Sequence, residues 1–299
     1  MINNSKNNNQ LKEITISYGI ASLYDLEKLI MYGNLKNLKK TSENIIREFN
    51  NEKWKDLKNI ITSNPKFNLE DLESHEDGEK EQYIYLNNSH LIAPPNWLRE
   101  SNKLDLIQSI SNIQKNTSFK QILEIGAGYG SKIISIMKSG EIPNNIKYVA
   151  LDISENGLNI CEEIANRNNL IIKTINFDYL KGKFSELKLE KETLIFSCYG
   201  IHYKNQFTCK DILDLINAGV KGGVHIEPCS DLLDNLEDKL YAKLALKYIT
   251  QNNYTLNIGK AFKEAEEKGF INLNIEKKVS GLGLLPAWII KWTIKEKVF

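Results

Sequence analysis

The chain has 299 residues, of which 41% are hydrophobic and 26% charged, with a net charge of +1. That length supports one large domain or a domain with a cap. Near-zero net charge argues against a general grip on nucleic acid, though a local basic patch stays open, and no apolar run approaches the ~20 residues of a membrane span.

Met1 to Gln10 is polar and rich in Asn, so it lacks the apolar core of a secretion signal, and a cytoplasmic protein with a frayed tail is expected. Cys161, Cys198, Cys209 and Cys229 form no C-x-x-C pair. Free cytosolic thiols are therefore expected rather than zinc or disulfides. His75, His90, His202 and His225 show no metal-ligand spacing, and no metal is expected.

From Leu11 to about Phe67 the pattern predicts helix. Leu23, Leu26, Leu29 and Ile30 recur at helical spacing, as do Ile45, Ile46, Phe49, Trp54, Leu57, Ile60 and Ile61. Gly33-Asn34 separates two such helices. The charged stretch Glu70 to Glu81 loosens the pattern. Tyr83 to Leu86 reads as extended, and Asn87 to His90 as a turn. Pro94-Pro95 blocks helix there and makes a rigid lid segment with Asn96 and Trp97. These features predict an N-terminal helical cap over residues 1–100 and a core domain over 101–299. Ser101 is placed to cap a helix to about Gln114, with Leu104, Ile107, Ile110 and Ile113 on one face.

The core opens on Gln121-Ile122-Leu123-Glu124-Ile125-Gly126-Ala127-Gly128-Tyr129-Gly130-Ser131-Lys132. A short buried strand runs into a glycine turn, and Ile133, Ile134 and Met137 continue as an amphipathic helix. Residues without a Cβ let a ligand press against main chain, and the helix start offers free N–H groups, so this is a nucleotide-cofactor site. A dinucleotide fingerprint needs G-x-G-x-x-G, and Ser131 stands where its third glycine belongs. Glu124 would repel a pyrophosphate but suits the ammonium and sulfonium of S-adenosylmethionine. The segment Leu123 to Gly130 resembles motif I of class I S-adenosylmethionine-dependent methyltransferases.

Strands are then predicted at Asn145 to Leu151, Leu170 to Ile175, Thr193 to Ser197 and Gly223 to Ile226. Helices run through Leu158, Cys161 and Ile164 behind a Ser154 cap, and at Lys210 to Ala218, Glu237 to Thr250 and Lys260 to Lys268. Two final strands, Ile271 to Val279 and Ala287 to Ile294, flank Gly281-Leu282-Gly283 and Pro286. Alternation of strands and helices predicts an α/β protein with a mostly parallel sheet covered on both faces. The resemblance implies a Rossmann-like sheet of seven strands that closes with a strand pair, the last inserted antiparallel.

The resemblance also implies the site. Gly126, Ala127, Gly128 and Gly130 would face the methionine portion, with Glu124 on its amino group. Asp152, followed by Ile153, would accept from both ribose hydroxyls. Phe177 and Asp178 fall at the adenine contact, and Tyr199 closes the cofactor set. The Asn/Asp-Pro-Pro-aromatic motif of DNA and glutamine N-methyltransferases is absent after the fourth strand. Ile201-His202-Tyr203 instead resembles small-molecule methyltransferases with a His at this place. His202 is then the expected general base for a hydroxyl oxygen, because an imidazole titrates near 7, and Glu227, at the end of the fifth strand, is the second catalytic candidate, with better access to the pocket than His225. His225, inside that strand, reads as a satisfied core histidine. Tyr85, His90 and Trp97 from the lid, with Tyr203, Asn253 and Tyr254, are the expected acceptor contacts. A small polar acceptor, O-methylation and S-adenosyl-L-methionine as cofactor are therefore expected. A peptide or carrier-bound substrate, a non-catalytic module that recruits a partner, and a homodimer all stay open.

Overall fold

The computed structural model describes residues 12–13, 40–77, 82–86, 89–143, 145–278 and 280–295. The expected helices around Leu23 to Ile30 and the break at Gly33-Asn34 lie outside these residues. Lys12–Glu13, inside the expected helical run, is a short strand, β1.

Thr41 caps α1 (Ser42–Ile45) by accepting the Asn44 N–H at 3.3 Å. The chain continues through a π-helical stretch, Ile46–Lys53, into α2 (Trp54–Ser63). Helix stops short of Phe67 because Pro65 cannot extend it. The charged stretch that follows is helical after all: α3 (Leu69–Asp77) starts from a reciprocal Asn68–Asp71 cap and buries Leu69, Leu72 and Glu73.

Strands β2 (Gln82–Leu86) and β3 (Ser89–Ala93) pair antiparallel, with Tyr85 opposite His90. His90 therefore sits in a strand and not in a turn. The first 100 residues are not wholly helical: β1 adds to β3, and β10 (Ser280–Leu282), from the expected C-terminal connection, adds to β2. Helix α4 (Trp97–Asn116) begins at once after the prolines. Asn96, at φ 64°, turns the chain into it, so Ser101 lies inside the helix and not at its cap.

The main sheet is built from β4 (Gln121–Ile125), β5 (Lys147–Asp152), β6 (Ile172–Asn176), β7 (Thr193–Cys198), β8 (Val220–Glu227), β9 (Ile271–Lys277) and β11 (Trp288–Ile294). Its order is β6-β5-β4-β7-β8-β11-β9. The strands from β4 to β8 are parallel, and β11 runs antiparallel to both neighbours. Helices α5 (Ser131–Lys138), α6 (Glu155–Arg167), α7 (Cys209–Asn217), α8 (Lys239–Gln251) and α9 (Ile258–Glu267) complete the crossovers and the C-terminal layer. Ser154 caps α6 through the Gly157 N–H at 3.1 Å.

Period-two alternation sends successive side chains to opposite faces. Leu123, Ile125, Val149 and Leu151 join one core, while Ile122, Tyr148 and Ala150 join the other. Glu124 shares the face of Ile122, which is the face that α5 covers. Strand order reverses between β4 and β7, so a crevice opens beyond the carboxyl ends of these strands. All four cysteines are buried free thiols. No described helix is long and apolar enough to cross a membrane.

Candidate active site

At the end of β4 the N–H groups of Gly126 and Ala127 both reach Leu151 O, at 2.9 and 3.1 Å. Gly128 and Gly130 then take φ values of 54° and 80°. A Cβ on Gly128 would stand 3.2 Å from the Trp54 ring, and one on Gly130 would overlap Cys161 Sγ. Both the left-handed backbone and the close packing therefore require glycine here.

Glu124 is buried under this turn, and its Oε2 accepts the Ile133 N–H at 3.1 Å, inside the first turn of α5. Burial raises its carboxyl to about 8, against the pull of Lys132 and of that N–H. The unfolded chain releases this proton near 4.5, so the native state is favoured most below that pH and loses the benefit as pH rises toward 8. Glu124→Gln should therefore gain stability relative to the native protein between pH 5 and pH 8, by up to about 1.4 kcal/mol per pH unit. Urea unfolding at the two ends of that range checks it.

Asp152, at the end of β5, uses both oxygens to shape the same loop. Oδ2 accepts Gly128 N–H at 2.8 Å and Oδ1 accepts Ser154 N–H at 2.7 Å. Each oxygen keeps a further lone pair. Burial raises its pKa, opposed by these N–H donors.

A cavity of about 300 Å³ lies over these strand ends. Of the expected site residues, Gly126, Ala127, Gly128, Asp152, Ile153, Tyr199 and Tyr203 line it, while Glu124 and Gly130 do not. The N-terminal segment supplies the facing wall through Phe49, Lys53, Trp54, Glu76 and Gln82, with Arg99 and Asn102 from α4. This segment is clamped to the core. Asn50 Oδ1 accepts from Asn156 N–H and Ser154 Oγ, and Arg167 donates to Ile61 O, Asn64 O and Phe67 O. Glu76 receives Lys53 at 2.5 Å, Arg99 at 2.8 Å and the Tyr129 hydroxyl at 2.6 Å. Burial alone would raise its carboxyl, yet these cations bring it down to about 2.

Several expected residues do not line the cavity. Phe177 packs on Phe184, and Asp178 accepts the Leu180 N–H; the next residue, Tyr179, takes the cavity position and donates to Gly200 O at 3.2 Å. His202 is 2% exposed and does not reach the cavity. Its Nδ1 lies 3.2 Å from Glu227 Oε2, and its ring is packed between Tyr203 and Tyr254. Glu227 is fully buried. It accepts the Ser197 hydroxyl at 2.6 Å, the N–H groups of Gly200 and Ile201 at 2.9 Å each, and that of His202 at 3.3 Å. Burial opposes its charge, but His202, Ser197 and Ile201 outweigh it and hold the carboxyl below its ordinary range. His225 is a core histidine whose pKa burial lowers to about 4. Its Nε2 accepts from Trp292 Nε1 at 3.0 Å, which leaves Nδ1 to donate to Ser197 Oγ at 2.9 Å.

The expected acceptor contacts are likewise engaged elsewhere. Tyr85 stacks on Tyr241 at 4.0 Å, and His90 Nε2 pairs with Asp238 at 3.0 Å. Trp97 packs on the Ile84, Leu86 and Ala93 cluster. Tyr254 lies behind Tyr203, and Asn253 is exposed with its amide toward Asn205. Conversely, Lys132 lines the cavity and makes no hydrogen bond or ion pair with a described residue. Its place just after the glycine turn is the one sequence signal that could have found it. Tyr179, Glu76, Gln82 and Asn102 had no such signal.

Strand order, glycine turn and strand-end carboxylate define the class I S-adenosylmethionine-dependent methyltransferase fold. A sequence model of the family described as histidine-specific, S-adenosylmethionine-dependent methyltransferase matches residues 100–221. No curated protein sequence matches the chain. Among solved structures it is similar to the plantazolicin methyltransferase BpumL bound to SAH (15% identity, 66% of this chain and 85% of that one, TM-score 0.45). It is also similar to an S-adenosylmethionine-dependent methyltransferase of Clostridium acetobutylicum (12%, 67% and 96%, 0.45) and an O-methyltransferase of Bacillus cereus bound to SAH (14%, 66% and 88%, 0.42).

S-adenosylmethionine is the cofactor of this class, and the residues present fit it. Gly126, Ala127 and Gly128 line the cavity at the turn, Asp152 keeps free lone pairs, and Lys132 offers a cation that pairs with no described residue.

Proposed function

We propose that this protein transfers the methyl group of S-adenosylmethionine to a small polar acceptor, with the described residues between 40 and 100 as the cap that closes the site. The observation that carries this reading is the cavity itself. About 300 Å³ between the glycine turn and the cap is at the small end of ligand pockets. In this reading Asp152 holds the ribose, Ile153 and Tyr179 flank the adenine side, and Lys132 faces the charged amino-acid end, with Glu124 buried beneath the turn that presents it. Bound cofactor supplies an electrophilic methyl on a sulfonium. The protein supplies position, because in-line displacement depends on how the two reactants are held.

The walls bear on the choice of acceptor atom. A hydroxyl oxygen was tied to His202 as base, and no described histidine lines the cavity. A neutral amine attacks through its lone pair and needs no base in the same step. Nitrogen is therefore the favoured acceptor and hydroxyl oxygen the alternative. The family description points the same way, although its match, residues 100–221, omits Phe49 to Gln82 of the facing wall.

The test is calorimetry followed by a product assay. S-adenosylhomocysteine should bind with measurable heat and NAD with none. Methyl transfer should then reach a small amine such as L-histidine, with mass spectrometry locating the methyl on nitrogen. Binding of NAD in place of S-adenosylhomocysteine would refute the cofactor. Transfer only to a peptide would refute the acceptor class.

A further inference from the structure

The cap-side wall holds two amide oxygens to which no described group donates. Gln82 Oε1, at the start of β2, and Asn102 Oδ1, in α4, are both shut off from solvent and accept no hydrogen bond from a described group. Both residues line the cavity, and Asn102 is only 5% exposed. Buried acceptors of this kind are rare, because they give up water and receive nothing in return. Their neighbours on the same wall are satisfied: Glu76 takes Lys53, Arg99 and the Tyr129 hydroxyl. These cations are therefore already committed, and they leave the two amides for a guest.

We infer that Gln82 and Asn102 form a subsite for the N–H or O–H donors of the methyl acceptor. The inference rests on the cavity being the methyl-transfer site. The two oxygens come from β2 and α4, elements separate from the β4 and β5 strands that carry Glu124 and Asp152, and in this inference they address the acceptor and not the cofactor. Two acceptor oxygens select a donor group, an ammonium, amide or hydroxyl. They reject a carboxylate or phosphate, whose oxygens would meet them lone pair to lone pair.

The test loads the full chain with S-adenosylhomocysteine and follows methylammonium, acetamide and acetate by saturation-transfer NMR. Methylammonium and acetamide should bind, and acetate should not. Gln82→Met and Asn102→Leu keep side-chain volume and remove the oxygen. Each should weaken the donor probes about ten-fold, with S-adenosylhomocysteine affinity within about two-fold of native. Without ligand, both variants should melt no lower than the native protein, since an unpartnered oxygen has been replaced by apolar atoms. A lower melting temperature would mark a structural amide and overturn the subsite. So would unchanged probe binding, equal binding of acetate, no binding of any probe, or a parallel loss of S-adenosylhomocysteine affinity. Failure of S-adenosylhomocysteine to bind the native protein counts instead against the methyltransferase reading, and the probes are then read on the unliganded chain.

Discussion

Glu227→Ala is expected to destabilise the protein by about 3–5 kcal/mol, the range for one partner removed from a buried charged network. The carboxylate is fully buried and gathers the Ser197 hydroxyl, the N–H groups of Gly200, Ile201 and His202, and the His202 ring. Alanine leaves these donors buried without an acceptor. The effect should reach function, because the turn they anchor presents Tyr199, Gly200 and Tyr203 to the cavity. Glu227→Gln keeps one carbonyl oxygen but turns the other acceptor into a donor that faces N–H groups, so an intermediate loss is expected. The pH response has a definite sign. The folded carboxyl is depressed, so its stabilisation is present above the ordinary value of 4.5 and is lost as acid protonates the native state below it. Urea unfolding at pH 7 and pH 4 should show the alanine variant losing less on acidification than the native protein. Equal stability of native and Glu227→Ala at pH 7 would show that the network contributes nothing.

The same network explains why the chemistry was only partly legible in the sequence. A strand, three glycines and a helix lie within twelve residues of one another, so local periodicity and backbone chirality reveal them directly. Asp152 was legible for the same reason: it closes a strand whose register is set by alternation. His202 was not. It sits in a short 3₁₀ turn, Ile201–Tyr203, whose rotation sends the ring toward Glu227 on the neighbouring strand. No local pattern encodes that rotation. One residue of loop phase separates Asp178, which closes its own turn, from Tyr179, which faces the cavity. The cap wall was the least legible. Glu76, Gln82 and Asn102 meet the site through tertiary contacts, and the β2 strand behind that wall pairs with Ser280–Leu282 near the other end of the chain. Hydrophobic periodicity carries no record of such pairings.

Asp152→Ala should lower affinity for S-adenosylhomocysteine by at least about 100-fold, since hydrogen bonds to a charged acceptor contribute about 1.5–3 kcal/mol each and two are expected from the ribose. The same change also frees the Gly128 and Ser154 N–H groups, so a loss of affinity alone could come from a collapsed glycine loop. Two measurements separate the causes. Asp152→Asn keeps one oxygen for Gly128 and should preserve the loop better than alanine, as urea unfolding will register. Calorimetry with S-adenosylhomocysteine and a 2′,3′-dideoxy counterpart then isolates the sugar. If the carboxylate holds the ribose, the native protein discriminates between the two ligands and Asp152→Asn discriminates far less. If Asp152 only shapes the loop, both ligands weaken together and the discrimination survives. The second outcome would assign the ribose to another group, and Lys132 and the Tyr179 hydroxyl, which line the same cavity, would be the next to replace.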